Sequence, residues 1–150
     1  MRIVIQRVRH ASLSIGGHEY SSIGEGMVVL VGVEERDTID DVEWLVKKTA
    51  QLRIYNDENG VMNRSLLDIG GNALVVSQFT LHASVKKGNR PAYIRAARPE
   101  HARPLYEAFC ERMSQTLGRK VATGVFGADM QIELLNDGPV TICIDSQNRE

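Results

Sequence analysis

Three short stretches hold groups that a plain hydrophobic core has no use for. The first is Ser77-Gln78-Phe79-Thr80, where two hydroxyls and an amide follow the apolar run Ala73-Leu74-Val75-Val76. A hydroxyl attacks a carbonyl only beside a base, and an amide can orient a bound group by hydrogen bonding. A strand passing from interior to surface would give the same pattern, and no histidine lies near Ser77. The second stretch is Lys86-Lys87-Gly88-Asn89-Arg90, which opens a run with Arg95, Arg98 and Arg103, opposed only by Glu100. It reads either as a solvated face or as a local patch for phosphates. The third is Asn136-Asp137-Gly138-Pro139-Val140-Thr141. Leu134, Val140, Ile142 and Ile144 alternate as in a half-buried strand, yet Gly138-Pro139 interrupts them with the residues a strand tolerates least. That dipeptide is either a simple turn or backbone presented for use.

Other chemistry is argued against by spacing. Gly24-Glu25-Gly26 lacks the third glycine of a dinucleotide loop and sits in strand context. Tyr55 to Leu66 would place Tyr and Leu at the first and last ligand positions of a calcium loop, so no cage forms. His10, His18, His82 and His101 show no metal-ligand spacing, and no metal or cofactor is expected. Cys110 falls beside an apolar helix face and reads as core filler.

At 150 residues the chain is expected to form a single domain, 1–150, with an ordinary core. Apolar residues make up 43% and charged residues 25%, and the net charge of −1 argues against coating nucleic acid by charge alone. Two cysteines without a CxxC pattern suit a reducing, cytoplasmic setting, and Met1-Arg2 leads into an alternating strand too short and charged for a leader or a membrane span.

The elements that must position the three stretches follow from periodicity. Residues 2–15 alternate, Gly16-Gly17 turns, and 26–34 is a continuous apolar run suited to a strand buried on both faces. Thr38, with Asp41 three residues on, opens a helix whose face is Ile39, Val42, Leu45, Val46, Ala50 and Leu52. Residues 56–60 turn, and 72–83 read as a strand. Pro99 suits a helix start, but Pro104 places the regular helix from about that residue, ending at Gly118. The last third returns to strands. The fold class is therefore α+β: a mostly antiparallel or mixed sheet, curled toward a barrel, with two covering helices.

Taken together, Gln6-Arg7-Val8, Ser77 to Leu81, Lys87 to Pro91, Gly124 to Met130 and Asn136 to Thr141 resemble the D-aminoacyl-tRNA deacylases, in order and across essentially the whole chain. Tyr93 stands where a Phe is expected. The resemblance implies a homodimer that hydrolyses D-aminoacyl-tRNA, and misacylated glycyl-tRNA, with no cofactor and no membrane. It implies that the Gly138–Pro139 bond is cis and that this corner enters the partner's active site, opposite Ser77, Gln78, Phe79 and Thr80. Arg7 would hold the corner's carbonyls. A backbone wall of this kind can reject L-aminoacyl esters by configuration at the α-carbon, whatever their side chain, while a glycyl ester passes.

Within that frame two mechanisms compete: attack by Thr80, for which no base is evident, or water oriented by the substrate's 2′-hydroxyl, with backbone N–H groups near Phe79 and Thr80 holding the oxyanion. Lys86, Lys87 and Arg90 would meet acceptor-stem phosphates. Three rival classes remain. A small barrel that binds tRNA ends without chemistry would keep the basic loop and Phe79. A general hydrolase would need His82, which shares Thr80's face on an alternating strand. A purely structural dimer leaves the polar switch at Ser77 unexplained.

Overall fold

A computed structural model describes residues 1–149. The strands are β1 (Arg2–Ile15), β2 (His18–Ile23), β3 (Gly26–Gly32), β4 (Tyr55–Asn56), β5 (Met62–Arg64), β6 (Asn72–Ser77), β7 (Ala122–Thr123) and β8 (Gln131–Asp145). The helices are α1 (Ile39–Gln51), a single turn α2 (Leu66–Ile69), and α3 (Pro99–Leu117); a 3₁₀ turn spans Phe79–His82.

β1 organises the sheet. Along one edge it pairs antiparallel with β3 through residues 2–8 and with β2 through residues 11–15; along the other it pairs with β8. β6 joins β3 in parallel, and β7 joins β6 in parallel. Both parallel pairings require a crossover, supplied by α1 and α3. The Ser21 hydroxyl donates to the Thr123 carbonyl at 2.8 Å, so β2, at one end of the strand order, meets β7 at the other. The mixed sheet is thus nearly closed into a barrel.

β3 is buried on both faces, as its unbroken apolar run requires. Met27, Val29 and Val31 join the core beneath α1 and α3, whereas Val28 packs with Val8, Leu13, Leu74 and Val76 inside the curl of the sheet. Asp41 accepts the Thr38 N–H at 2.9 Å, which caps α1, and Val42, Leu45, Val46 and Ala50 are buried; Ile39, in the first turn, is exposed.

Three boundaries differ from the sequence expectation. α3 begins at Pro99 and contains Pro104. Pro104 deprives only the carbonyl of Glu100 of its N–H donor, and because that residue is exposed in the first turn, solvent can donate to it instead, so the helix continues through Pro104. The strand expected over 72–83 ends at Ser77 and tightens into the 3₁₀ turn. The one-turn α2, capped by Ser65 and Asp68, adds a third helix to the two expected.

Candidate functional site

The end of β6 builds one wall of a cavity. Its ladder with β3 closes where the Gln78 N–H donates to the Val31 carbonyl at 2.7 Å, and β3 itself stops at Gly32. With no partner strand left, the chain satisfies its backbone locally by a 3₁₀ turn. A Cβ at residue 32 would lie 3.0 Å from the Gln78 carbonyl oxygen and from two His82 ring atoms, which explains the glycine at the strand's end. The turn leaves Ser77, Gln78 and Phe79 lining a cavity of about 470 Å³.

That cavity opens between sheet and helix. Val31, Val33 and Val76 form one side, Ala102 and Tyr106 of α3 another, and Phe126 to Met130 with Ile132 the third. The surface is mainly apolar, and its polar side chains are few. Tyr106 donates its hydroxyl hydrogen to the Val75 carbonyl at 2.8 Å, and burial pushes its pKa far up, so it stays neutral. Asp129 lies at the exposed rim. The cavity wall from Phe126 to Met130 was visible beforehand only as a shared family stretch, because a loop between two strands has no periodicity to read.

Thr80 does not line this cavity; its hydroxyl accepts from the Gln78 side-chain amide. His82 is buried, with Nδ1 3.0 Å from Glu34 Oε1. The expected shared strand face for Thr80 and His82 is therefore corrected: two residues apart on a threefold turn, they point about 120° apart. Burial pushes the Cys110 thiol up to about 11, so it is not a nucleophile at neutral pH. Among the described residues no three metal-ligating side chains cluster.

A second feature, outside this cavity, is the Gly-Pro corner. β8 runs continuously past it, but between the pairs Gln6–Thr141 and Val8–Asn136 a single β1 residue, Arg7, faces four residues of β8, Asp137 to Val140. The extra residues loop out of the ladder, and Asn136 Nδ2 donates to Thr141 Oγ1 at 3.3 Å across the neck. Pro139 has no N–H to lose there. The Gly138–Pro139 peptide is cis, and Gly138 has φ +119°. A Cβ on Gly138 would stand 2.9 Å from Arg7 Nη2.

Arg7 is only 6% exposed, and its guanidinium is held at Nε and Nη1. Its Nε donates to the Asp137 carbonyl at 3.2 Å and lies 3.1 Å from the Asp137 carboxylate; its Nη1 donates to the Ile54 carbonyl. Arg9 approaches the other carboxylate oxygen of Asp137 at 3.0 Å. Asp137 and Ile54 were not singled out from sequence; the Asp beside Gly-Pro offered only an ordinary turn signal. Gly138 and Pro139 are exposed and do not border the cavity of their own chain.

The basic run divides. Ser84 and Ala92 exchange backbone hydrogen bonds at 2.8 and 2.9 Å, forming the stem of a loop whose tip carries Lys86, Lys87 and Arg90. Among the described residues these three are exposed and make no hydrogen bond or ion pair. Arg95 instead pairs with Glu34, and Arg103 lies 5.2 Å over the Phe126 ring at the cavity wall. Phe79, 56% exposed, meets Tyr93 edge to face at 4.9 Å, which joins this loop to the cavity mouth.

The chain's likeness to known proteins covers all of these parts. The model of a family described as D-Tyr-tRNA(Tyr) deacylase matches residues 4–145. A D-aminoacyl-tRNA deacylase of Bacteroides fragilis (strain YCH46) is 64% identical over 150 residues, covering 100% of both chains. The solved structure of a c-Myc DNA unwinding element binding protein is 41% identical, with a TM-score of 0.92 over 97% of this chain and 98% of that one. A structure described as a probable eukaryotic D-amino acid tRNA deacylase shares the fold at 19% identity, with a TM-score of 0.84 over 95% of this chain and 97% of that one.

If Arg7 pins the corner, replacing it with an apolar chain of similar length strands a buried carbonyl and the Asp137 carboxylate. Arg7→Met should lower the unfolding free energy by about 2–3 kcal/mol. Urea denaturation measures this, and a loss below about 0.5 kcal/mol, the range of an ordinary surface substitution, would assign the pinning elsewhere.

Proposed function

The chain belongs to the D-Tyr-tRNA(Tyr) deacylase family and is a hydrolase, and on that premise we propose that it cleaves the ester joining a D-amino acid to the terminal ribose of tRNA. It acts in the cytoplasm as a homodimer, the Gly138–Pro139 corner of one subunit completing the Ser77–Phe79 cavity of the other. One observation carries this reading. The chain holds an apolar cavity without an acid–base pair and, outside that cavity, an exposed corner braced by a buried arginine. Neither half is a site alone, and a two-fold axis would supply each cavity with a corner.

The chemistry asked of such a site is modest. An aminoacyl ester is already activated, so the protein has mainly to orient the carbonyl and stabilise the oxyanion. The first N–H groups of the 3₁₀ turn, from Phe79 and Thr80, have no acceptor within it and are available to an oxyanion. Gln78 and Ser77 can hold the substrate's polar ends, and Phe79 offers a face to the terminal adenine. The attacking water is oriented by the free 2′-hydroxyl of the ribose. Thr80 supports this choice over direct attack, since its oxygen accepts from Gln78 and no base adjoins it.

Selection by handedness follows from what the corner offers. Main-chain carbonyls and a proline ring meet the α-carbon itself, so one configuration strikes them whatever its side chain. A glycyl ester has nothing to strike them with, which brings misacylated glycyl-tRNA within reach. Lys86, Lys87 and Arg90 contact phosphates of the acceptor stem.

Incubation with D- and L-tyrosyl-tRNA should release the D-amino acid and leave the L-ester intact. Thr80→Ala should retain most of the activity, whereas an acyl-enzyme trapped at Thr80 would overturn the water mechanism. Binding of tRNA without release would move the protein to the class of non-catalytic end-binding barrels. KM should rise with salt, and the slope of log KM against log salt should fall by about 0.7–0.9 for each of the three basic residues changed to Ala. A KM indifferent to salt would remove the loop from the interface.

A further inference from the structure

The loop bearing Lys86, Lys87 and Arg90 leaves the sheet after the 3₁₀ turn and returns ahead of α3, and both of its limbs come to one carboxylate. Glu34 is 5% exposed and lies just beyond β3. At the end of the 3₁₀ turn, where the outgoing limb starts, His82 Nδ1 is 3.0 Å from Glu34 Oε1, a close approach without hydrogen-bond geometry. On the returning limb, Arg95 Nη2 donates to that same oxygen, beside an antiparallel bridge from Glu34 to Ala96 and a bond from the Ala97 N–H to the Val33 carbonyl at 2.8 Å. Arg36 Nε donates to the other carboxylate oxygen at 2.9 Å.

Burial opposes ionisation of Glu34, but the Arg36 hydrogen bond and the charges of His82, Arg95 and Arg36 outweigh it and hold the carboxyl below the usual carboxylate range. A buried charge has to keep its partners, which an exposed pair does not. The Arg95 side chain, though half exposed, is thereby tied at its guanidinium to Glu34.

We infer that Glu34 is a positioning residue for nucleic-acid contact: it joins the two limbs of the basic loop, through Arg95 and beneath His82, so that Lys86, Lys87 and Arg90 stand beside the cavity mouth. The inference rests on the tRNA substrate proposed above. It is opposed by a rival in which Arg95 itself contacts phosphate and Glu34 merely neutralises it. The two differ in sign. Removing the Glu34 charge adds net positive charge and frees Arg95, so the rival requires tighter tRNA binding, whereas loss of the clamp weakens it.

The test compares Glu34→Gln and Arg95→Met with the unaltered full-length protein on two substrates and one ligand. These are D-tyrosyl-tRNA, the minimal ester D-tyrosyl-adenosine, which lacks the acceptor stem, and uncharged tRNA measured by filter binding. The Gln side chain still faces His82, so the 3₁₀ turn and the cavity keep their shape. Both variants should raise KM for D-tyrosyl-tRNA and Kd for uncharged tRNA by about fivefold, while kcat/KM on the minimal ester stays within about twofold. The double variant should be no weaker than either single one, because both remove the same contact. Unchanged or tighter tRNA binding in Glu34→Gln overturns the inference, as does an equal loss on both substrates, which marks a general structural role. Arg95→Met alone does not separate the two readings, since losing a phosphate contact by Arg95 would weaken binding as well. Should Glu34→Gln fold poorly, Glu34→Asp, which keeps the charge but shortens its reach to Arg95, decides between them. Weaker tRNA binding is then expected from loss of the clamp, and unchanged or tighter binding overturns it. Failure of the unaltered protein to release D-tyrosine would refute the proposed reaction, and the binding arm would still decide the role of Glu34.

Discussion

A buried guanidinium has to find acceptors, and at Arg7 the carbonyls of Asp137 and Ile54 and the Asp137 carboxylate meet that need and set the geometry of the Gly-Pro corner. Arg7 lies in β1, whose neighbour β8 would ordinarily place one residue opposite it. Four residues occupy that interval instead. The first, Asp137, brings both a carbonyl and a countercharge to the guanidinium. The second is glycine, whose φ of +119° L side chains rarely adopt and whose missing Cβ leaves room for the guanidinium, and the third is a proline that needs no ladder partner. Asp-Gly-Pro is thus the sequence form of one electrostatic constraint. The corner it produces is exposed at its tip and anchored at its base.

The same sheet produces the cavity by a different route. Curling β2 round to β7 gives the sheet two apolar sides, one beneath α1 and α3 and one inside the curl. The cavity lies against residues from both, Val31 and Val76 among them, where β3 and β6 run out and the 3₁₀ turn begins. Its lining is mainly apolar, with Ser77, Gln78, Tyr106 and Asp129 as its polar side chains. Such a site suits the proposed activated ester, and it leaves discrimination to whatever closes its open side.

How much of this was legible in the sequence depended on whether the cause was local. The broken alternation at Gly138-Pro139 marked the corner correctly, because both residues act on their own backbone. Thr38 and Asp41 marked the start of α1 for the same reason. The strand expected through His82 failed because its end is decided by the end of β3, far away in sequence. Likewise, the six basic residues between 86 and 103 look alike in a charge count. The fold separates them by giving Arg95 a buried partner and Arg103 an aromatic one, while Lys86, Lys87 and Arg90 keep to the loop tip. Glu34 gave no signal at all: its distant partners, His82 and Arg95, meet it only in the folded chain.

The account is tested most directly by a heterodimer with one usable cavity. One protomer carries Ala128→Trp, which fills its cavity; the other carries Pro139→Ala, which in a homodimer should admit L-tyrosyl-tRNA. In the purified heterodimer the sole open cavity belongs to the Pro139→Ala protomer but faces an unaltered corner. Release of D-tyrosine with restored rejection of the L-ester is the predicted result. Continued release of L-tyrosine at the Pro139→Ala homodimer's rate per open cavity would show that each corner guards its own chain, and would contradict the account.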